Sequence, residues 1–352
     1  MKKRYIEYDI LRILACFCVI MIHSAVFEQN MLYENNNLKY QATNIWGTLS
    51  RWAVPAFVML SGMMILQKIE NESLHNLFLK RVLRMIVVYI VWSGVYSFYN
   101  VFILGNVYAG SKIKTFIDGC FSGEIHMWYL LVCAGVYLIS PILKVIIENL
   151  SSKLTIYWMV AMFVFSSLIP FVVKLDIKFV SVIINSFFEY ADLQFLGGWT
   201  LYFVLGYYIQ QHEFTKKQKN IVYVLGIISL AFTMYGTVWM SWKNGKAMGI
   251  LPYEYPNIVI FGVSVLVFAK EEIGRINILE KNERMITGIS KLTFGIYLSH
   301  VLILKNLYFV GVNIQMCHPL VSIPVVSLVT FIVGAVLTMC IRKIPIIGCY
   351  IA

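Results

Sequence analysis

The sequence predicts an all-α fold, a polytopic membrane bundle of about ten transmembrane helices with both termini in the cytosol. Three observations predict it. Of 352 residues, 59% are hydrophobic and only 13% charged, against about 25% charged in a soluble domain. Mean hydropathy is +0.74, and the apolar residues gather into runs close to the ~20 residues that a spanning helix needs. Lys and Arg then favour alternate loops, as the cytosolic loops of a membrane protein require.

Taken in order, the apolar stretches run over 10–27, 45–66, 82–104, 127–147, 154–173, 195–210, 221–242, 251–269, 289–312 and 320–341. The first follows Met1-Lys2-Lys3-Arg4, a start that resembles a signal peptide. Asp9 and Arg12 interrupt the run and no small-residue cleavage site follows His23, so an uncleaved first span is expected. The sixth stretch is short and follows a second apolar run, Phe179 to Phe188, expected to lie re-entrant or along the interface. The eighth is also short and begins irregularly at Leu251-Pro252-Tyr253-Glu254-Tyr255-Pro256. Trp46, Trp128, Trp199 and Trp242 fall near stretch ends, where interfacial belts place them.

With the N-terminus in the cytosol and ten spans, nineteen Lys and Arg fall on cytosolic segments and eight on exterior ones. Arg12 and Arg51 remain within spans. The net charge of +11 is therefore topology, which excludes nucleic-acid binding. Seven cysteines show neither CxxC nor metal-ligand spacing, so no metal is expected. The spans leave little chain for a separate soluble domain, and residues 1–352 read as one membrane domain. No internal repeat is visible.

The polar residues inside the spans carry the functional signal, because charged groups there are costly and face a bundle interior or a watery cavity. Asp9 and Arg12 are three apart and neighbour each other on a helix. Arg12 and His23 are eleven apart, close to three full turns, so they share a face with an axial gap of ~16 Å. With the topology above, Asp9 and Arg12 lie toward the cytosol, His23 in the outer third, and Arg51 at a similar depth to His23. His126 opens the fourth span from outside, and His300 sits midway along the ninth. Lys80, Arg81 and Arg84 cluster at the cytosolic start of the third. Plainer readings exist: Arg12 and Arg51 also fit snorkelling to headgroups, the histidines also fit structural packing, and the basic cluster satisfies the positive-inside rule. His75, His212 and His318 are loop residues with no assigned role.

Cations near one face and imidazoles deeper in suit transfer of a group from an anionic donor to an acceptor reached from the other side. Imidazole has an unperturbed pKa of ~6.5. It accepts a hydroxyl proton as general base and returns it to a leaving group. Arg holds phosphates bidentately, and Lys does so as a point charge.

Asp9, Leu11 and Arg12 with His23 eleven residues on resemble the signature of the integral-membrane acyltransferase-three family. Arg51-Trp-Ala-Val-Pro55-Ala-Phe57-Val-Met-Leu-Ser61-Gly62 is similar to its second-span motif, and Lys80-Arg81-Val-Leu-Arg84 to its basic segment. His126-Met-Trp128-Tyr129-Leu130 and Thr293-Phe-Gly295-Ile-Tyr297-Leu-Ser-His300 resemble its fourth-span and late-span motifs. The resemblance spans nearly the whole chain. It implies a bacterial plasma-membrane O-acyltransferase that moves an acyl group, commonly acetyl from acetyl-CoA, to a hydroxyl of a cell-surface or lipid-linked glycan. Acyl-CoA is then a co-substrate, with no bound cofactor.

The resemblance makes His23 the catalytic histidine, with Arg12 as its motif partner near the donor and Asp9 beside it. It turns Lys80, Arg81 and Arg84 toward CoA, and lines the site with Arg51, Ser61, His126, Trp128, Tyr297 and His300. One passage is expected, lined by both Arg12 and His23. Some relatives serve a transport-like role, so a transporter or flippase is the alternative.

Overall fold

The computed structural model describes residues 5–27, 29–35, 37–67, 73–175, 197–247, 249, 251–276, 281–345 and 348–352. The basic start at 1–4 and the 179–188 run lie outside them. Among the described residues every regular element is helical. The long ones are α1 (Ile6–Val26), α3 (Asn37–Leu49) and α4 (Ala53–Leu66), preceded by the short α2 (Gln29–Asn35). There follow α5 (Leu74–Ile103), α6 (Lys112–Ser122), α7 (Trp128–Asn149) and α8 (Ser152–Lys174). The remainder are α9 (Trp199–Gln211), α10 (Lys216–Asn244), α11 (Pro256–Glu271), α12 (Glu283–Phe309) and α13 (Pro319–Arg342), before a last turn at Gly348–Ile351.

Each of the ten apolar stretches becomes a helix or a joined pair. Eight are long and apolar enough to cross a membrane. The other two are α9 and α11, with 13 and 16 residues. At 1.5 Å per residue they reach ~20 and ~24 Å, short of a ~30 Å hydrocarbon core. Their place is inside the bundle. Leu201, Phe203 and Val204 of α9 are buried, and α9 meets α4 at backbone distance. A Cβ on Gly62 would stand 1.9 Å from the Phe203 carbonyl oxygen, and one on Gly206 would stand 2.0 Å from that of Met59. Small residues at such crossings let apolar helices associate through close packing.

The helices alternate in direction between two faces. Ile6, Leu66 and Arg342 mark the face where both ends of the described chain lie, called here the terminal face. Val26, Ala53, Trp128 and Phe309 mark the distal face. The opening helix α1 packs against α3, α4, α12 and α13, which buries Asp9, Leu11, Ala15 and Cys16. The periphery is apolar and unpartnered: Tyr157 and Val160 of α8, Ile227 and Ile228 of α10, and Leu328 and Ile332 of α13 are exposed, as lipid-facing surfaces require.

The second span expected as one helix over 45–66 is interrupted at 50–52. Pro55 explains the break, because it has no N–H to offer the carbonyl four residues back, which belongs to Arg51. The irregular start expected near 251 is also present, and α11 begins with Pro256 in its first turn. Two π-helical turns, Phe78–Val82 and Tyr99–Ile103, lie within α5; such turns are often found at functional sites. Outside the spans, α6 exposes Ile113, Ile117 and Phe121, one stripe at i, i+4 and i+8, as a helix lying on a bilayer surface does.

Candidate active site

Two cavities lie between α1, α4, α7 and α12, one toward each face. The terminal cavity, about 350 Å³, is lined by Arg12, Arg84 and Arg342 together with Ser61, Tyr137 and Ser290. Its cations are held in place. Arg12 Nη1 pairs with Asp9 at 3.2 Å, and its Nη2 reaches Met64 Sδ. Asp9 is 1% exposed and accepts a hydrogen bond from Ser290 Oγ at 2.7 Å. The i, i+3 spacing on α1 makes the pair, and α12 supplies the hydroxyl that orients it. Arg84 Nε donates to the Tyr350 carbonyl at 3.1 Å. Arg342 Nη2 donates to the Lys291 carbonyl at 2.6 Å. Ser61 Oγ lies 3.3 Å from the Tyr137 hydroxyl.

The distal cavity, about 210 Å³, is lined by His23, Arg51, His126, Trp128, Tyr253 and Tyr297 among others. Arg51 Nε donates to the Leu251 carbonyl at 2.7 Å, and its guanidinium lies 4.4 Å from the centre of the Tyr253 ring. Three imidazoles converge here from α1, the start of α7 and α12. Ring centres are 4.7 Å apart for His126 and His300, 5.0 Å for His23 and His300, and 6.1 Å for His23 and His126.

Local backbone contacts set the proton positions on two of these rings. His300 Nδ1 lies 2.5 Å from the Tyr297 carbonyl oxygen. A carbonyl only accepts, so Nδ1 carries the proton and the neutral ring presents a lone pair at Nε2. That Nε2 is buried and has no hydrogen-bond partner among the described residues. His126 repeats the pattern: Nε2 faces the Leu298 carbonyl at 3.4 Å, and the buried Nδ1 is unpartnered among the described residues. Buried polar atoms are nearly always satisfied, so two such nitrogens beside a third imidazole set this cluster apart from ordinary packing.

Phe57, Tyr129 and Tyr297 line both cavities. Their rings touch in series, with centres 6.2 Å apart for Phe57 and Tyr129 and 5.5 Å for Tyr129 and Tyr297. The passage expected to carry both Arg12 and His23 is thus two chambers with one aromatic partition. Tyr297 is fixed in it by a hydrogen bond of 2.5 Å from its hydroxyl to the His126 carbonyl.

A family model described as an acyltransferase domain, acyltransferase-three, matches residues 5–341. The chain belongs to the acyltransferase-three family. Comparison with curated proteins and with solved structures returned no match for it. It is a multi-pass membrane acyltransferase.

In this acyltransferase the residues singled out from sequence divide between the chambers. Arg12, Ser61 and Arg84 line the terminal one, with Tyr297 in the partition. His23, Arg51, His126 and Trp128 line the distal one, and His300 closes on it through its contact with His23. Asp9 does not line the chamber and meets it through its ion pair with Arg12. Lys80 is exposed and Arg81 half-buried, and neither lines a chamber as Arg84 does. Sequence reasoning missed Arg342, counted there as a topological charge, and Tyr253, counted as part of an irregular start. It also missed Ser290 as the partner of Asp9. Arg342 carried a readable signal: it ends the last apolar stretch at the depth where Arg12 begins the first.

Proposed function

We propose that the protein is an O-acyltransferase of the bacterial plasma membrane. It moves an acyl group, acetyl in the simplest case, from acyl-CoA on the cytosolic side to a hydroxyl of a cell-surface or lipid-linked glycan. The terminal face is then cytosolic. One observation carries the reading: a chamber lined by three arginines and a chamber lined by converging imidazoles share a partition of three side chains.

The donor's phosphates sit with Arg12, Arg84 and Arg342, where guanidinium groups offer paired N–H donors. Its acyl-bearing arm passes the partition and brings the thioester carbonyl to His23. A glycan hydroxyl enters from the distal side. His23 removes the hydroxyl proton as the oxygen attacks the carbonyl carbon, and it returns that proton to the CoA sulfur as the C–S bond breaks. The products are the glycan ester and free CoA thiol. His300 acts as a positioning residue. Its Nε2 lone pair accepts the N–H of His23 once the two rings, with centres 5.0 Å apart, rotate into line, which leaves the other nitrogen of His23 to take the proton.

Purified protein in vesicles, given labelled acetyl-CoA and a glycan acceptor, tests the reading. General-base catalysis contributes about 10²–10⁴-fold, so His23→Ala is expected to lose acyl transfer by that factor while remaining inserted. Acceptor labelling by His23→Ala at the wild-type rate overturns the mechanism. Movement of a glycan across sealed vesicles without acyl-CoA, and no acyl transfer under any condition, favours transport instead.

A further inference from the structure

A third cavity, about 330 Å³, opens at the distal face on the far side of Tyr96 from the imidazoles. Its size lies within the ~300–1,000 Å³ of small-ligand pockets. The distal half of α5 forms its floor and α6 its roof. Two hydrogen bonds clamp α6 onto α5, from the Tyr89 hydroxyl to the Phe121 carbonyl at 2.7 Å and from Ser97 Oγ to the Phe116 carbonyl at 2.9 Å. The rim residues Asn106, Tyr108 and Ser122 are exposed, whereas Ser93 and Tyr96 at the floor are buried.

One wall is a preset polar edge. Lys305 Nζ lies 2.5 Å from Glu124 Oε2 and 3.2 Å from Asn100 Oδ1. Asn100 Nδ2 donates to the same Glu124 oxygen at 3.4 Å. The pair cancels in charge, yet donors and acceptors remain: an ammonium has three N–H groups and a carboxylate about four lone-pair positions. At the floor, Ser93 is 0% exposed, and its hydroxyl has no hydrogen-bond partner among the described residues. Tyr96 supplies an apolar ring face and is immobile, since its hydroxyl donates to the Leu298 carbonyl at 2.9 Å and accepts from Leu302 N at 3.1 Å.

A neutral edge of fixed, alternating donors and acceptors beside a ring face matches vicinal hydroxyls, each of which donates one hydrogen bond and accepts others. An anion meets Glu124 and a cation meets Lys305. An apolar ligand strips water from the network without replacing it, at a cost. We propose that this cavity binds one neutral sugar unit through its hydroxyls, with Asn100, Glu124 and Lys305 as the polar edge and Ser93 at the floor. The inference stands on the cavity's own chemistry and needs no acyl transfer. Joined to the reading above, it makes the cavity a holding subsite for an adjoining unit of the acceptor glycan, because Tyr96 keeps its contents away from His23.

Saturation-transfer NMR on the full chain in phosphatidylcholine nanodiscs tests this, with glucose, galactose and N-acetylglucosamine as neutral probes and glucuronate as the charged control. No acyl donor is present, so the result is independent of catalysis. At least one neutral sugar is expected to give saturable transfer with a Kd on the order of 1–10 mM, the weak affinity of a few hydrogen bonds. Asn100→Leu is expected to weaken it at least fivefold. Ser93→Ala removes a hydroxyl that no group among the described residues satisfies, so its thermal stability is expected to stay at the wild-type value while sugar binding weakens. The proposal is overturned by absence of saturable transfer from all three neutral sugars, by binding that survives both substitutions, or by glucuronate binding as tightly as the best neutral probe.

Discussion

The two chambers differ in how their polar groups are satisfied. In the terminal chamber each arginine already has a partner: Arg12 has Asp9, Arg84 the Tyr350 carbonyl, and Arg342 the Lys291 carbonyl. Guanidinium groups have five N–H donors in a fixed plane, so these contacts hold them oriented. In the distal chamber, buried nitrogens of His126 and His300 have no partner among the described residues. Leaving such atoms unpaired costs about 1–3 kcal/mol each, and proteins accept such costs mainly where function needs the free lone pair. On the proposed function, this difference suits the first chamber to holding a ligand and the second to reacting with one.

Substitutions in the two chambers are therefore expected to fail in different kinetic constants. The largest effect after His23→Ala is expected at His300. His300→Asn keeps a group to meet the Tyr297 carbonyl but deletes the Nε2 lone pair. It should lower kcat roughly 10–100-fold with an unchanged KM, part of the contribution of a positioned base. His300→Gln, which offers an acceptor at the Nε2 position, should recover part of the loss and shift the pH profile. A purely structural histidine would show neither recovery nor shift.

A smaller and opposite effect is expected in the terminal chamber. Arg84→Gln or Arg342→Gln removes a charged hydrogen bond to the donor, worth about 1.5 kcal/mol at the lower end for such bonds. Each should raise the KM for acyl-CoA roughly tenfold with kcat within about threefold. Steady-state kinetics varying acyl-CoA at fixed acceptor distinguishes the cases; a fall in kcat alone would erase the distinction between the chambers.

The smallest effect belongs to a cluster whose residues line neither chamber. Lys219 of α10 lies 3.1 Å from the half-buried carboxylate of Glu272, just past α11. The hydrogen bond from Lys219, with its charge, holds the Glu272 carboxyl below its ordinary value. A depressed carboxylate stabilises the fold above its unfolded pKa, about 4.3, and that contribution disappears as pH falls through the lower folded value. Thermal unfolding of Glu272→Gln should therefore differ slightly from wild type at pH 7 and converge with it in acid. Acyl transfer should stay within about twofold, so this charge cluster serves as a control for the other two.

The sequence made the helices legible because hydropathy over 18 or more residues is a strong, local signal. It also made the Asp9–Arg12 pair legible, since three-residue spacing fixes that contact on any helix. The convergence of His23, His126 and His300 was not legible beyond a rough common depth. It depends on how α1, α7 and α12 rotate against one another, and no periodicity within one helix encodes that. The basic cluster shows the limit differently. The π turn over Phe78–Val82 changes the angular step through Lys80 and Arg81, so a spacing argument built on 3.6 residues per turn cannot say which of them shares a face with Arg84. The break beside Arg51 hid in plain view, since Pro55 is an apolar residue to a hydropathy scale and a missing donor to the backbone.

The partition of Phe57, Tyr129 and Tyr297 bears on the energy economy of the host cell. A continuous watery hole through the bilayer would short-circuit any ion gradient stored across it. Between the two chambers stand ring faces that offer a hydrated ion little to replace its lost shell. On the proposed function, the flexible acyl-bearing arm of the donor parts the rings for a single turnover and fills the gap it opens. Cargo then changes sides, and the barrier to protons and salts closes again once the arm withdraws.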